Sequence, residues 1–191
     1  MTKFILHGGF TREENESNRL FFVEFMSGLT EGDTILLVLF ATRDEKEKPM
    51  QCEDFMRHCR EVTSEQNFNF ILATEEHFLQ EIEVSKAVFF NGGSTNKLMT
   101  VLRTYENFKS LLTDKTVAGS SAGAYALAQM GTSHDEEIFR EGLGFVPIRV
   151  VCHYQSPTLP PFGASVEILK NTSPELELLY LKDYEWKVFN S

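Results

Sequence analysis

Gly119-Ser120-Ser121-Ala122-Gly123 matches the pattern G-x-S-x-G in full. The stretch around it, Thr116 to Tyr125, reads as a short apolar strand, a tight small-residue turn and the start of a helix. Glycines let the backbone bend sharply there without Cβ clashes, and a serine at the bend projects its hydroxyl clear of a sheet. Such a serine can do nucleophilic acyl transfer if a base lies within hydrogen-bond reach. The amide of the following residue, Ala122, then faces the developing oxyanion. The same five residues also fit an ordinary turn between a strand and a helix, so their partners must decide.

A serine hydroxyl needs an imidazole, and the imidazole needs a carboxylate to orient it. Of the five histidines, His58 and His77 fall in or beside helical stretches and read as surface residues. His134 follows the serine's helix in a polar loop. His7 ends the first strand and reads as a loop residue beside Gly8-Gly9. His153 ends a later strand, ahead of Tyr154 and Gln155, and is placed to overhang the edge that carries Ser121. Candidate acids are Asp135, Glu136 and Glu137, just past the serine's helix. A second oxyanion donor is expected from a glycine loop, and Gly92 or Gly93 fits, although a plain strand-to-helix turn would look the same.

The elements that must position these groups alternate. Apolar runs at Phe4–Leu6, Thr34–Phe40, Phe68–Ala73, Ala87–Phe90, Thr116–Ala118 and Arg149–Cys152 read as strands. Between them lie helical patterns: Phe22, Phe25, Met26 and Leu29 after a Thr11-x-x-Glu14 cap signature; Cys52 to Val62; and Leu98, Val101, Tyr105, Phe108 and Leu112. The serine's own helix is expected to run to about Met130. Two last strands, Leu176–Leu181 and Trp186–Phe189, are joined by a turn at Asp183. Alternation of this kind predicts an α/β protein with an open, mostly parallel sheet and helices on both faces. Ligand sites in such sheets lie beyond the carboxyl ends of the strands. His7-Gly8-Gly9, Thr42-Arg43, Asn91-Gly92-Gly93, Ser121 and His153 should therefore crowd one edge.

Bulk properties narrow the field. A chain of 191 residues with 42% apolar and 24% charged residues is expected to form a single domain over 1–191. A net charge of −10 with no basic run excludes a nucleic-acid binder. No apolar run approaches the roughly 20 residues that span a bilayer, so no membrane partner is expected, and a cytoplasmic location is the default. The three cysteines form neither a disulfide framework nor a metal spacing, so no metal and no cofactor is expected.

Gly119-Ser-Ser-Ala-Gly-Ala124 is similar to the G-x-S-A-G-A nucleophile motif of the peptidase E (dipeptidase E) serine peptidases, the group that also contains cyanophycinases. Phe89-Phe-Asn-Gly-Gly-Ser-Thr95 resembles that family's G-G-N-T segment, with Ser94 in place of the asparagine. Gly142-Leu-Gly144, followed by a strand and His153-Tyr154, resembles its G-L-G and histidine segments. The resemblance runs from the first strand to about Tyr154. It implies a class I glutamine-amidotransferase-like, flavodoxin-like three-layer fold, with Ser121 as nucleophile and His153 as base. The family's acid lands on Glu136, with Asp135 beside it. Gly92, Gly93, Ser94 and Thr95 would join Ala122 in holding the oxyanion and substrate.

The implied activity is hydrolysis of short peptides, with an acidic amino-terminal residue, through a Ser-His-acid triad and an acyl-enzyme. The partner is a small peptide substrate, with a homodimer as the candidate assembly. The serine–acid–histidine order is shared with α/β-hydrolases, but too few residues follow Ser121 for that fold. An esterase or amidase on another substrate, or a degenerate binding protein, would carry the same motif. No arginine follows Arg149, so Arg12, Arg43 and Arg149 are the candidate readers of an acidic side chain.

Overall fold

The computed structural model describes residues 1–64, 67–106, 108–134 and 138–191. The first half of the chain alternates strands and helices: β1 (Lys3–His7), α1 (Glu16–Met26), β2 (Thr34–Val38), α2 (Lys48–Val62), β3 (Asn69–Leu72), α3 (Phe78–Val84), β4 (Ala87–Phe90), α4 (Thr95–Leu102) and β5 (Thr116–Ser120). There follow α5 (Ala122–Leu127), β6 (Ala128–Thr132), β7 (Phe139–Glu141), β8 (Val146–Val151), α6 (Gly163–Asn171), β9 (Glu177–Tyr180) and β10 (Trp186–Asn190).

The main sheet among the described residues runs β10-β1-β5-β4-β2-β3. Every pairing in it is parallel except that of β10 with β1. Continuous apolar runs form its centre because both faces are covered. Ile5, Ile35, Leu37, Phe89 and Ala118 pack under α1 and α2 with Phe21, Phe22, Phe25 and Phe55. Their alternate neighbours Phe4, Leu6, Leu36, Val38, Phe90 and Val117 pack on the other face with Phe78, Ile82, Leu98 and Leu102. The fold is therefore the expected α/β layering, with mostly parallel strands between helices.

Three local expectations are revised. Helix α1 starts later than the Thr11 cap signature, because Asn15 Oδ1 accepts the Asn18 amide at 2.9 Å and sets its first turn. The pattern from Leu98 to Leu112 is two pieces: α4 ends at Leu102, and a 3₁₀ turn spans Phe108–Leu112. Leu98, Phe108 and Leu112 still reach one core. The serine's helix stops at Leu127 rather than Met130, and the chain enters a second sheet, ordered β7-β6-β8-β9. The strand ending at His153 thus belongs to that second sheet, not to the main one.

Tyr125, on α5, ties that helix to the second sheet. Its hydroxyl lies 2.8 Å from Thr132 Oγ1 and accepts the Cys152 amide at 3.1 Å. Arg149 anchors the second sheet to α6. It is 5% exposed and donates to the carbonyls of Leu169, Lys170 and Thr172, at the end of that helix, and to that of Leu176. A cation is well placed against the unpaired carbonyls of a helix C-terminus. Arg149→Gln should leave several of them unpaired and lower stability by about 2–4 kcal/mol, read as a lower urea midpoint at unchanged slope.

Candidate active site

The loops after β1, β2, β4, β5 and β8 do converge at one edge of the main sheet. They line a cleft of about 370 Å³ that includes Phe10, Arg43, Gly92, Ser121 and His153. Ser121 sits at the bend between β5 and α5 with φ 48° and ψ −102°, a conformation side chains rarely adopt. The bend is pinned from both sides. The Ser121 amide donates to His7 O at 2.9 Å, and Ser121 O accepts the Tyr125 amide at 2.9 Å. The turn closes only because residues 119 and 123 lack side chains, as a Cβ on Gly119 would lie 2.4 Å from Gly123 C.

His153 follows β8 in the left-handed region, at φ 54°, and is 2% exposed. Its amide donates to Gly8 O at 3.1 Å. Its Nε2 lies 3.1 Å from Ser121 Oγ. Gly9, at φ +134°, lies flat against the imidazole, where a Cβ would come within 2.0 Å of Cε1. The Phe10 ring meets the imidazole edge-on at 4.8 Å.

The carboxylate at the other imidazole nitrogen is Asp183, with Oδ1 2.7 Å from Nδ1. Glu136 and Asp135, to which the sequence reading gave that part, lie outside the described residues, as does Glu137. Asp183 was legible only as a turn. Its placement follows from strand direction: β10 runs antiparallel to β1, pairing Trp186 with His7. The turn before β10 therefore arrives at the edge where the parallel strands end. Backbone bonds hold it there, from Gly8 N to Glu185 O at 2.8 Å and from Tyr154 N to Leu181 O at 3.0 Å.

The remaining expected residues divide. Gly92 faces the serine, where a Cβ would lie 3.5 Å from Ser121 Cβ. Gly93 and Asn91 also line the cleft. Ala122 is the first residue of α5. Ser94 and Thr95 do not line the cleft; Ser94 is the N-cap of α4, its Oγ accepting the Lys97 amide at 3.3 Å. His58 is not a surface residue: it stacks on Phe22 at 4.9 Å, and its Nε2 lies 3.2 Å from Arg12 O. Cys152 is buried under the serine turn, and burial pushes its thiol well above the ordinary range. Among the described residues no His, Cys, Asp or Glu cluster could hold a metal, and no helix is long and apolar enough to cross a membrane.

Burial lowers the His153 pKa below the ordinary histidine value, although Asp183 opposes the shift. The imidazole is therefore neutral, and able to accept a proton, through the neutral range. His7 is held neutral more firmly, with its pKa lowered to about 3 by burial. Its Nδ1 accepts the Gly9 amide at 3.0 Å, so Nε2 carries the proton and donates to Asn18 Oδ1 at 2.9 Å.

Comparison with known proteins gives a family and a fold. The model of peptidase family S51 matches residues 4–189. The fold resembles the crystal structure of a peptidase from an acI-B1 Actinobacterium, with a TM-score of 0.67 and 16% identity, over 100% of this chain and 84% of the other. It also resembles a putative peptidase E protein from Listeria monocytogenes EGD-e, with a TM-score of 0.62 and 14% identity, over 100% and 98% of the two chains. A comparison with curated protein sequences finds no match.

Both histidines have folded pKa values below their unfolded ones, so the unfolded chain binds more protons between the two values. Stability should therefore hold above about pH 6.5 and fall below it, by at most about 1.4 kcal/mol per pH unit per histidine. Urea midpoints measured from pH 8 to 4 check this. The rate of fluorophosphonate reaction at Ser121 should stay flat to below pH 6.5 and then drop.

Proposed function

Because this chain belongs to peptidase family S51 and is a serine peptidase, we propose that it hydrolyses short peptides with Ser121, His153 and Asp183 acting as one unit. The observation that carries this reading is the unbroken line from Asp183 through both imidazole nitrogens to the Ser121 hydroxyl. Ser121 Oγ attacks the peptide carbonyl as His153 Nε2 takes its proton. Asp183 keeps the Nδ1–H tautomer and stabilises the imidazolium. The tetrahedral oxyanion is received by the amides of Ala122 and of Gly92 or Gly93, beside the nucleophile. His153 returns the proton to the leaving amine, and water then releases the acyl group by the same steps in reverse.

An acidic amino-terminal residue, which the resemblance implies, finds no buried Lys or Arg in the cleft among the described residues. Arg12 and Arg43 are exposed at its mouth. Arg149 is spent on the end of α6. Short peptides of other composition suit the site equally well on electrostatic grounds.

Asp183→Asn should lower kcat by about 10³–10⁴-fold with little change in KM, because it favours the wrong imidazole tautomer. Glu136→Gln and Asp135→Asn should stay within about threefold of the parent. Steady-state kinetics on a dipeptide panel checks all three. A loss confined to Glu136→Gln would return the orienting part to that residue.

A further inference from the structure

The cleft beside Ser121 has two chemically different walls. Its floor is carbon, formed by Phe22, Leu37, Leu39, Phe55 and Phe89, all buried. Its polar wall carries a hydrogen-bond chain whose direction is fixed from the outer end. The Glu47 carboxylate can only accept, and it takes Gln51 Nε2 at 3.1 Å. Gln51 Oε1 therefore turns inward, where it accepts the Thr42 hydroxyl at 2.9 Å and Asn91 Nδ2 at 3.0 Å. Asn91 Nδ2 also donates to Thr42 Oγ1 at 3.0 Å.

With both its donors directed along that chain, Asn91 is left with an acceptor. Among the described residues its Oδ1 has no partner, although the residue is only 6% exposed. Orphaned buried acceptors are uncommon, because they forgo the hydrogen bonds water would give them. A substrate N–H entering the cleft would supply the missing bond. We propose that the cleft receives the residue that bears the attacked carbonyl, that the side chain of this residue is aromatic or branched apolar, and that its α-nitrogen donates to Asn91 Oδ1.

The inference rests on the acyl-transfer reading above, since only that reading supplies an attacked carbonyl. Aliphatic and aromatic carbon on the floor rewards an apolar side chain by burial. A carboxylate set on the same floor would lose its water with no buried cation to replace it. Arg12 is exposed and lies 3.9 Å from Asp54, and Arg43 is exposed at the mouth. The volume of about 370 Å³ has room for a residue or two and not for a long extended chain. A site built around a substrate N–H also rejects analogues that lack it, because its own buried acceptor is then left unpaired.

Titration calorimetry on Ser121→Ala protein tests the pocket without catalysis. Phenylalaninamide should bind about tenfold or more tightly than either aspartic acid α-amide or 3-phenylpropionamide, which lacks the α-nitrogen. In Ser121→Ala/Asn91→Ala protein its advantage over 3-phenylpropionamide should shrink to about twofold or less, whereas a merely structural loss would weaken both ligands alike. Failure of phenylalaninamide to bind, tighter binding of the aspartyl amide, or an advantage that survives Asn91→Ala would overturn the inference. Activity of the parent protein separates the two readings. Preferred turnover of aspartyl over phenylalanyl peptides removes the pocket proposal alone. Absence of both a Ser121 adduct and any peptide turnover removes the acyl-transfer reading and the pocket proposal with it.

Discussion

A serine backbone held where serine does not rest is the constraint on which the structure depends. Ser121 at φ 48° and ψ −102° costs roughly 1–3 kcal/mol and persists only if its surroundings determine it several times over. They do. Strand β5 is locked between β1 and β4, the Ser121 amide is tied to His7 and its carbonyl to Tyr125, and no side chain intrudes between Gly119 and Gly123. Phe10, His153 and Tyr184, all with positive φ, surround the same edge. Ser64, Asp114 and Ser173 have positive φ elsewhere, at turns, but four such residues meet at this edge.

The second sheet completes this edge. Turning the chain into β6 after only two turns of α5 frees β8 and β9 from the main sheet and lets them deliver His153 and Asp183 from outside. Tyr125 and Arg149 then fix that small sheet, through a hydroxyl shared with Thr132 and Cys152 and through a guanidinium clamped on the end of α6. The imidazole is buried enough to stay neutral, and its Nδ1 is paired with Asp183. Burial and the carboxylate pull its pKa in opposite directions, and the balance suits a base working near neutrality.

Much of this was legible in the residues. Alternating apolar runs gave the main layers, and the rule about carboxyl ends of parallel strands gathered His7, Asn91, Gly92, Ser121 and His153 correctly. That Asp183 would meet His153 was not legible. Candidates were sought close after the serine, whereas Asp183 lies 30 residues beyond His153, in a turn whose location depends on β10 running antiparallel to β1. The residues of β10 alone mark neither its direction nor its neighbour. Composition also misplaced His58, because a histidine on a helix looks like a surface residue until Phe22 is found stacked on it. The short α5 was missed for a related reason: Ala126 to Gly131 suits a helix locally, and tertiary pairing with β8 decides otherwise.

The most direct measurement is a crystal structure of the protein after reaction with a fluorophosphonate. The account predicts a single phosphonyl group on Ser121 Oγ. Its oxygen should lie within hydrogen-bond distance of the Ala122 amide and of Gly92 or Gly93, with Asp183 remaining on His153 Nδ1. An unmodified Ser121, an adduct oxygen directed away from those amides, or a carboxylate from residues 135–137 in the place of Asp183 would contradict it.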